Sequence, residues 1–311
     1  MIIYRLAALG DVICTLPLCG EIRKRHPGRL LIFITAADYR KIVSLSRAAD
    51  CVYGAVWKYG VRNLPGARHF GLVEQIYIPR TTDERFQNTG VQSHLVDDLA
   101  ASCGVVIPVS NRQPRLFPSS EMIQRTRAKY GLAEDTAGTR RTIGVHIGRT
   151  WPVRMWDNAK WQKLVDGIHA EFDAVILQFG RTNGGGADPL DRLTGVQPLV
   201  NRVKPDELAA LLASCQLLIS VDSGPVHLAG AVGTPVVGLF GAVNPRFRLP
   251  PDSSISGLFS DVPCLFCHHT TPCGHWQTGC PNEMRCMREL EVQPVFQAVK
   301  SVLSNNKIGV F

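Results

Sequence analysis

The sequence is short of charge, of aromatic residues and of long apolar runs. Charged residues make up 19% of its 311 positions and aromatic residues 7%, against 45% hydrophobic residues. So little charge beside so much apolar surface excludes a disordered chain. A membrane span is excluded too. The longest uncharged stretch follows Asp222, and Pro225, Pro235 and several glycines interrupt it, as expected of a buried α/β core. No targeting segment is expected. Arg5 and Asp11 break the apolar start, no small-residue cleavage site follows, and Leu16-Pro17-Leu18-Cys19 lacks the small residue of a lipoprotein signal. Internal repeats and low-complexity tracts are lacking, and so is any Asp-x-Asp triplet.

What is present suits two domains of about 150 residues each. Strand-like and helix-like runs alternate from the first residues. Ile2-Ile3-Tyr4 opens as a strand, a helix is expected over 12–25, a strand over 30–34 and a helix over 37–45. Residues 80–90 read as a loop, 93–102 as a helix, 111–118 as extended and 120–130 as a helix. The polar, small-rich stretch Ala133–Arg141 reads as a linker. The rhythm then restarts. Strands are expected over 142–147, 174–179, 217–221 and 235–240, with helices over 158–171, 207–213, 225–232 and 292–303. Such β-α alternation predicts parallel sheets covered by helices. The expected organisation is a first lobe over 1–135, a second over 136–291 and a final helical segment over 292–311.

The net charge of +8 fits an anionic ligand, an anionic membrane surface or nucleic acid. Nucleic acid is disfavoured, because the basic residues are dispersed and form no aromatic-basic platform. Of ten cysteines, Cys14, Cys19, Cys51, Cys103 and Cys215 lie scattered in apolar contexts and read as reduced, buried thiols. The other five crowd between Cys264 and Cys286. Bridges in an exported protein are more often spread out, so a cytoplasmic protein is expected. Cys264-Leu265-Phe266-Cys267 has the two-residue spacing with which paired thiolates grip a tetrahedral ion, and a second pair further on would close the site. Sulfur ligands suit iron or zinc in a structural role; free thiols are the plainer alternative.

Three segments carry the candidate chemistry. Leu6-Ala7-Ala8-Leu9-Gly10-Asp11-Val12 joins the first strand to the first helix, a position that opens on the ligand crevice of wound α/β sheets. Asp11 there is a catalytic candidate, although a helix-capping carboxylate would look the same. Leu218-Ile219-Ser220-Val221-Asp222-Ser223-Gly224-Pro225-Val226-His227 is a strand, a tight turn and a helix with Pro in its first turn. The start of such a helix offers unpaired N–H donors and partial positive charge to a pyrophosphate. His146-Ile147-Gly148-Arg149-Thr150-Trp151-Pro152-Val153-Arg154-Met155-Trp156 supplies two guanidinium groups at a similar strand end, and arginine forks match phosphate oxygens. Trp156 and Trp161 read as core anchors.

Taken together, these segments resemble glycosyltransferase family 9, the heptosyltransferases. The resemblance rests on the Leu-Gly-Asp-Val loop, the His-x-Gly strand end with a basic residue two before Trp156, and Asp222 to Ala229 followed by Gly233-Thr234-Pro235-Val236-Val237 and Leu239-Phe240-Gly241. It implies a GT-B architecture: two Rossmann-like lobes facing a central cleft, with the last helix crossing back to the first lobe. It implies inverting transfer of heptose from ADP-heptose, with Asp11 as general base. Arg149, Thr150, Arg154, Asp222, Ser223, Gly224, Pro225 and His227 would bind the donor. The absence of Asp-x-Asp then fits a leaving diphosphate stabilised by arginines and a helix start, without a catalytic divalent metal. The resemblance also extends to Cys-rich family members with iron on four cysteines, which implies Cys264, Cys267, Cys280 and Cys286 as ligands, with Cys273 as the alternative. One departure is that Gly180–Asp188 holds no Glu where relatives place one for the ribose.

The acceptor is expected to be a glycan, a lipopolysaccharide core or a protein hydroxyl, met by first-lobe residues such as Arg62, Arg80 and Arg85. Work on that acceptor would place the enzyme at the inner face of the cytoplasmic membrane, as a peripheral protein or a homo-oligomer. A donor other than ADP-heptose and a non-catalytic nucleotide-sugar binder are the competing readings.

Overall fold

The computed structural model describes residues 1–55, 74–81, 93–132, 140–148, 152–181, 193–249, 255–270 and 280–305. Two parallel sheets organise them. The first has the order β3-β2-β1-β4, with β1 at Ile2–Tyr4, β2 at Ile32–Ala36, β3 at Cys51–Ala55 and β4 at Ile76–Tyr77. The second has the order β10-β9-β8-β5-β6-β7, with β5 at Arg141–His146, β6 at Ala174–Phe179, β7 at Gln197–Pro198, β8 at Leu217–Val221, β9 at Val236–Leu239 and β10 at Ile255–Leu258. Every strand pairing is parallel. Because such strands are covered on both faces, they read as continuous apolar runs: all five residues of β8 are buried.

The helices are α1 (Leu9–Arg25), α2 (Arg40–Leu45), α3 (Leu95–Ala101), α4 (Ser120–Lys129), α5 (Asn158–Glu171), α6 (Pro205–Ala213), α7 (Gly224–Val232), α8 (Cys267–Thr270), α9 (Arg285–Arg288) and α10 (Val292–Asn305). Local chemistry explains their ends. Ser119 Oγ accepts from Met122 N–H at the start of α4, and Asp157 does the same for α5. Gly233 ends α7 at φ +84°, a left-handed conformation that suits glycine. α1 begins three residues before its expected start, because the Asp11 carboxylate accepts the Ala8 N–H and holds the first turn.

One apolar core runs through both lobes. It includes Ile13, Leu16 and Ile22 of α1 together with Leu211, Leu212, Val226 and Leu228 of the second lobe. A second core lies on the far face of the second sheet around Trp161, Ile168, Ile143 and Val237. Trp156 and Trp161 meet edge to face with ring centroids 5.0 Å apart, and Trp156 Nε1 donates to Leu290 O at 2.8 Å. The stretch before the expected linker already reaches over the second lobe: Gln113 Nε2 donates to Gly230 O, Leu116 N to Ala231 O, and Tyr130 Oη to Glu207. Of the expected linker, Ala133–Arg141, residues 133–139 are outside the described residues, and Arg141 already opens β5.

The last helix departs from expectation. Over 292–305 it does not return to the first lobe but lies on α5, with Phe296 against Gly167 and Lys300 paired with Glu171. Val295, Val299 and Leu303 form a helical stripe that is fully buried in the second-lobe core, and this apolar match decides its place.

Candidate active site

Two helix starts meet between the sheets. α1 leaves the end of β1, and α7 leaves the end of β8. Each presents N–H groups that the helix itself does not use. A Cβ on Gly10 would lie 2.8 Å from His227 Cδ2, and one on Gly224 would lie 3.2 Å from Leu9 Cβ. A side chain at Gly10 would force its neighbour to move, and one at Gly224 would be crowded.

On the first-lobe side, Asp11 Oδ2 accepts from Arg5 Nη2 at 2.6 Å and from Ala8 N–H at 3.0 Å. Arg5 comes off the end of β1, and its Nη1 donates to Pro79 O at 2.9 Å. The arginine side chain is 6% exposed and the aspartate 23%. Among the described residues, Asp11 Oδ1 accepts no hydrogen bond. A carboxylate backed by a buried guanidinium thus opens on the cleft.

On the second-lobe side, the arrangement is reversed. Arg154 ends the turn Pro152–Arg154; its Nη1 donates to Asp222 O at 2.9 Å, and its Nε lies 3.3 Å from Asp222 Oδ2. Here the arginine side chain is 22% exposed and the aspartate 6%. Burial pulls the Arg154 pKa down and the Asp222 charge partly restores it. Ser223 does not cap α7, since its Oγ donates back to Val221 O at 3.0 Å. Pro225 has no N–H to satisfy in the first turn. The start of α7 is left uncapped for an anion.

His227 lies under this junction. Burial lowers its pKa from 6.5 to about 4, outweighing the Asp222 charge, so the ring is neutral at pH 7. Its Nδ1 is 3.4 Å from the Cys14 sulfur, whose own pKa is pushed up by burial. His146 is likewise lowered to about 4 by burial, and its Nδ1–H donates to Phe179 O at 3.2 Å. Gly148 turns at φ +59°, where a Cβ would strike Val221 Cγ2 at 2.4 Å.

The structure thus brings Asp11, Arg154, Asp222, Ser223, Gly224, Pro225 and His227 together. Arg149, Thr150 and Cys273 lie outside the described residues, as do Arg62, Arg85 and the loop from 182 onward. Arg80 is exposed, with its N–H on Ser102 Oγ. Sequence reading missed Arg5, whose only signal was a charge at the end of an apolar strand. It also missed His94 and Arg248. His94 Nδ1 accepts from Val96 N–H, so Nε2 carries the proton and donates to Leu249 O at 2.9 Å, joining the two lobes.

Cys264, Cys267, Cys280 and Cys286 form no disulfide with one another. Burial raises the Cys286 pKa to about 11, and the charges of Cys264 and Cys280 push it further up. A Cβ on Gly241 would lie 2.7 Å from Cys286 Sγ. The donor set suits a soft metal, but among the described residues no three candidate ligands are gathered closely enough to hold an ion.

Known proteins resemble this chain in sequence and in fold. A family model described as glycosyltransferase family 9 (heptosyltransferase) matches residues 98–277. Lipopolysaccharide heptosyltransferase 3 of Escherichia coli is 24% identical over 290 residues, covering 78% of this chain and 83% of the relative. The E. coli ADP-heptose heptosyltransferase II structure superposes with a TM-score of 0.71 at 16% identity, covering 97% of this chain and 98% of that one. TibC of enterotoxigenic E. coli H10407 is described as a dodecameric, iron-containing heptosyltransferase. In its complex with ADP-D-β-D-heptose it superposes with a TM-score of 0.70 at 15% identity, covering 97% of this chain and 75% of that one. The two facing parallel sheets are those of a GT-B fold.

Proposed function

Because this chain belongs to glycosyltransferase family 9 and is a glycosyltransferase, we propose that it transfers heptose from ADP-heptose, with inversion, to a glycan or protein hydroxyl. The observation that carries the reading is the opposed presentation of charge: a carboxylate from one lobe and a guanidinium from the other face the same cleft. Asp11 takes the proton of the acceptor hydroxyl as its oxygen attacks the anomeric carbon. The bond from that carbon to the β-phosphate oxygen breaks, and its electron pair leaves on ADP. Arg154 and the N–H groups of Ser223 and Gly224 at the start of α7 receive the growing charge. Arg149 and Thr150 extend the diphosphate contact, and Asp222 meets the sugar. Pro225 sets the helix start, and His227 acts as a neutral ring beneath the diphosphate.

The acceptor classes are a lipopolysaccharide core, another glycan or a protein hydroxyl. Among the described residues no helix is long and apolar enough to cross a membrane. We place the activity in the cytoplasm, at the inner face of the membrane where such acceptors are built. A structural iron or zinc on Cys264, Cys267, Cys280 and Cys286, with Cys273 in reserve, belongs to the same proposal. The two-residue spacing of Cys264 and Cys267 and the iron-containing relative support it. Such a metal would cross-link the segment and take no part in transfer. Homo-oligomerisation is proposed on the likeness to the dodecameric TibC.

The test is thermal unfolding with ADP-, UDP- and GDP-sugars, followed by transfer assays. A ligand that binds only the folded state raises the midpoint. ADP-heptose is expected to stabilise the protein selectively. Selective stabilisation by a UDP- or GDP-sugar would discard the heptose donor. Stabilisation by ADP-heptose with no transfer to any acceptor class would favour a non-catalytic binder.

A further inference from the structure

Among the described residues the fixed charges of the cleft do not cancel. Arg5 is paired with Asp11 and Arg154 with Asp222, while His227 is neutral. Among the described residues a further guanidinium lies nearby. Arg248 follows the turn Pro245–Phe247, which is capped by Asn244 Oδ1 accepting from Arg246 N–H at 2.9 Å. The turn leaves the end of β9, which runs beside β8 with Leu239 opposite Val221, so it emerges next to Asp222 and Ser223. From the other lobe, His94 fixes the carbonyl of Leu249 at 2.9 Å, and the Leu249 side chain packs on the shared core. Arg248 is therefore held at the seam of the lobes by its neighbours on both sides.

Its own side chain is half-buried and poorly satisfied. Among the described residues it pairs with no carboxylate, and its one hydrogen bond is a long 3.4 Å contact from Nη1 to the adjacent Phe247 O. Its charge nevertheless reaches the site. It lowers the proton affinity of Cys14, His94, Arg154 and His227, two on each lobe. A partly desolvated guanidinium without a counterion is unfavourable unless an anion completes it.

Resting on the reading of this cleft as a nucleotide-sugar site, we infer that Arg248 is an anion-binding residue that takes a phosphate of the donor diphosphate, opposite Arg154. Arg154 already shares its fork with Asp222, so Arg248 adds net positive charge for the departing diphosphate. A diphosphate is the anion the surroundings favour, because the uncapped start of α7 opens beside the turn. The other source of an anionic group is the acceptor.

The experiment measures binding of inorganic pyrophosphate, ADP and AMP to the full chain and to Arg248→Gln and Arg248→Lys, beside acceptor KM. Arg248→Gln is expected to weaken pyrophosphate and ADP by about ten- to a hundredfold while changing AMP by less than about threefold, and Arg248→Lys to restore part of the loss. Unchanged pyrophosphate and ADP binding in Arg248→Gln overturns the inference. So does a raised acceptor KM with ADP binding intact, which assigns Arg248 to an acceptor anion. A wild-type protein that binds GDP or UDP in place of ADP removes the ADP-heptose reading but leaves the pyrophosphate result to decide Arg248. A wild-type protein that binds neither pyrophosphate nor any nucleoside diphosphate overturns both.

Discussion

Arg5 with Asp11 on the first lobe and Arg154 with Asp222 on the second use the same two residue types in opposite orientation. In the first pair the arginine is buried and the carboxylate faces the cleft; in the second the carboxylate is buried and the arginine faces it. Each buried member anchors the side chain of its more exposed partner. A single cleft can then offer a proton acceptor on one wall and a diphosphate cradle on the other without bringing bare charges together.

The comparison breaks most visibly at Asp11. Asp11→Asn is expected to lower transfer by about a hundred- to ten-thousandfold, the range for loss of a general base, while ADP binding stays within about threefold. Unchanged transfer would remove Asp11 as the base. Arg154→Gln should act on binding and on folding. It withdraws the cradle and strands Asp222, whose Oδ2 already accepts no hydrogen bond among the described residues. Removing one partner of a buried pair costs about 3–5 kcal/mol, to be read from denaturant unfolding. Adding Asp222→Asn to Arg154→Gln should recover much of that stability and none of the ADP affinity.

Two buried histidines, His146 and His227, set a pH window. Each is neutral in the fold with a pKa near 4, against 6.5 for an exposed ring. Between those values the unfolded chain binds protons that the fold refuses, so stability rises with pH across the window and is lost as pH falls from 6.5 towards 4. The loss approaches about 3 kcal/mol per ring, and unfolding midpoints measured from pH 7 to pH 4 should show it. His146→Gln should flatten the slope by about half. The smallest effect contrasts two glycines of α1. Gly10→Ala drives a methyl into His227 and is expected to cost about 1–3 kcal/mol. Gly20→Ala meets nothing within 4 Å; it should stabilise the helix by about 0.5–1 kcal/mol.

The sequence by itself determined the repeated strand-helix order, because parallel strands buried on both faces read as apolar runs. Helix α5 and strands β6 and β8 fall where periodicity places them. It also determined the strand-turn-helix segments that hold Asp11 and Asp222, since tight turns and helix starts have local signatures. β4 and β7, two residues each, carry too little pattern to be read. The pairing of Arg5 with Asp11, the approach of Gly10 to His227 over more than two hundred intervening residues and the place of Arg248 were decided only by tertiary structure. These depend on how two sheets pack on one core, and on which charged side chain the packing buries. Even the last helix, plain in sequence as an amphipathic stripe, was free to cover either lobe until the second-lobe core claimed its apolar face.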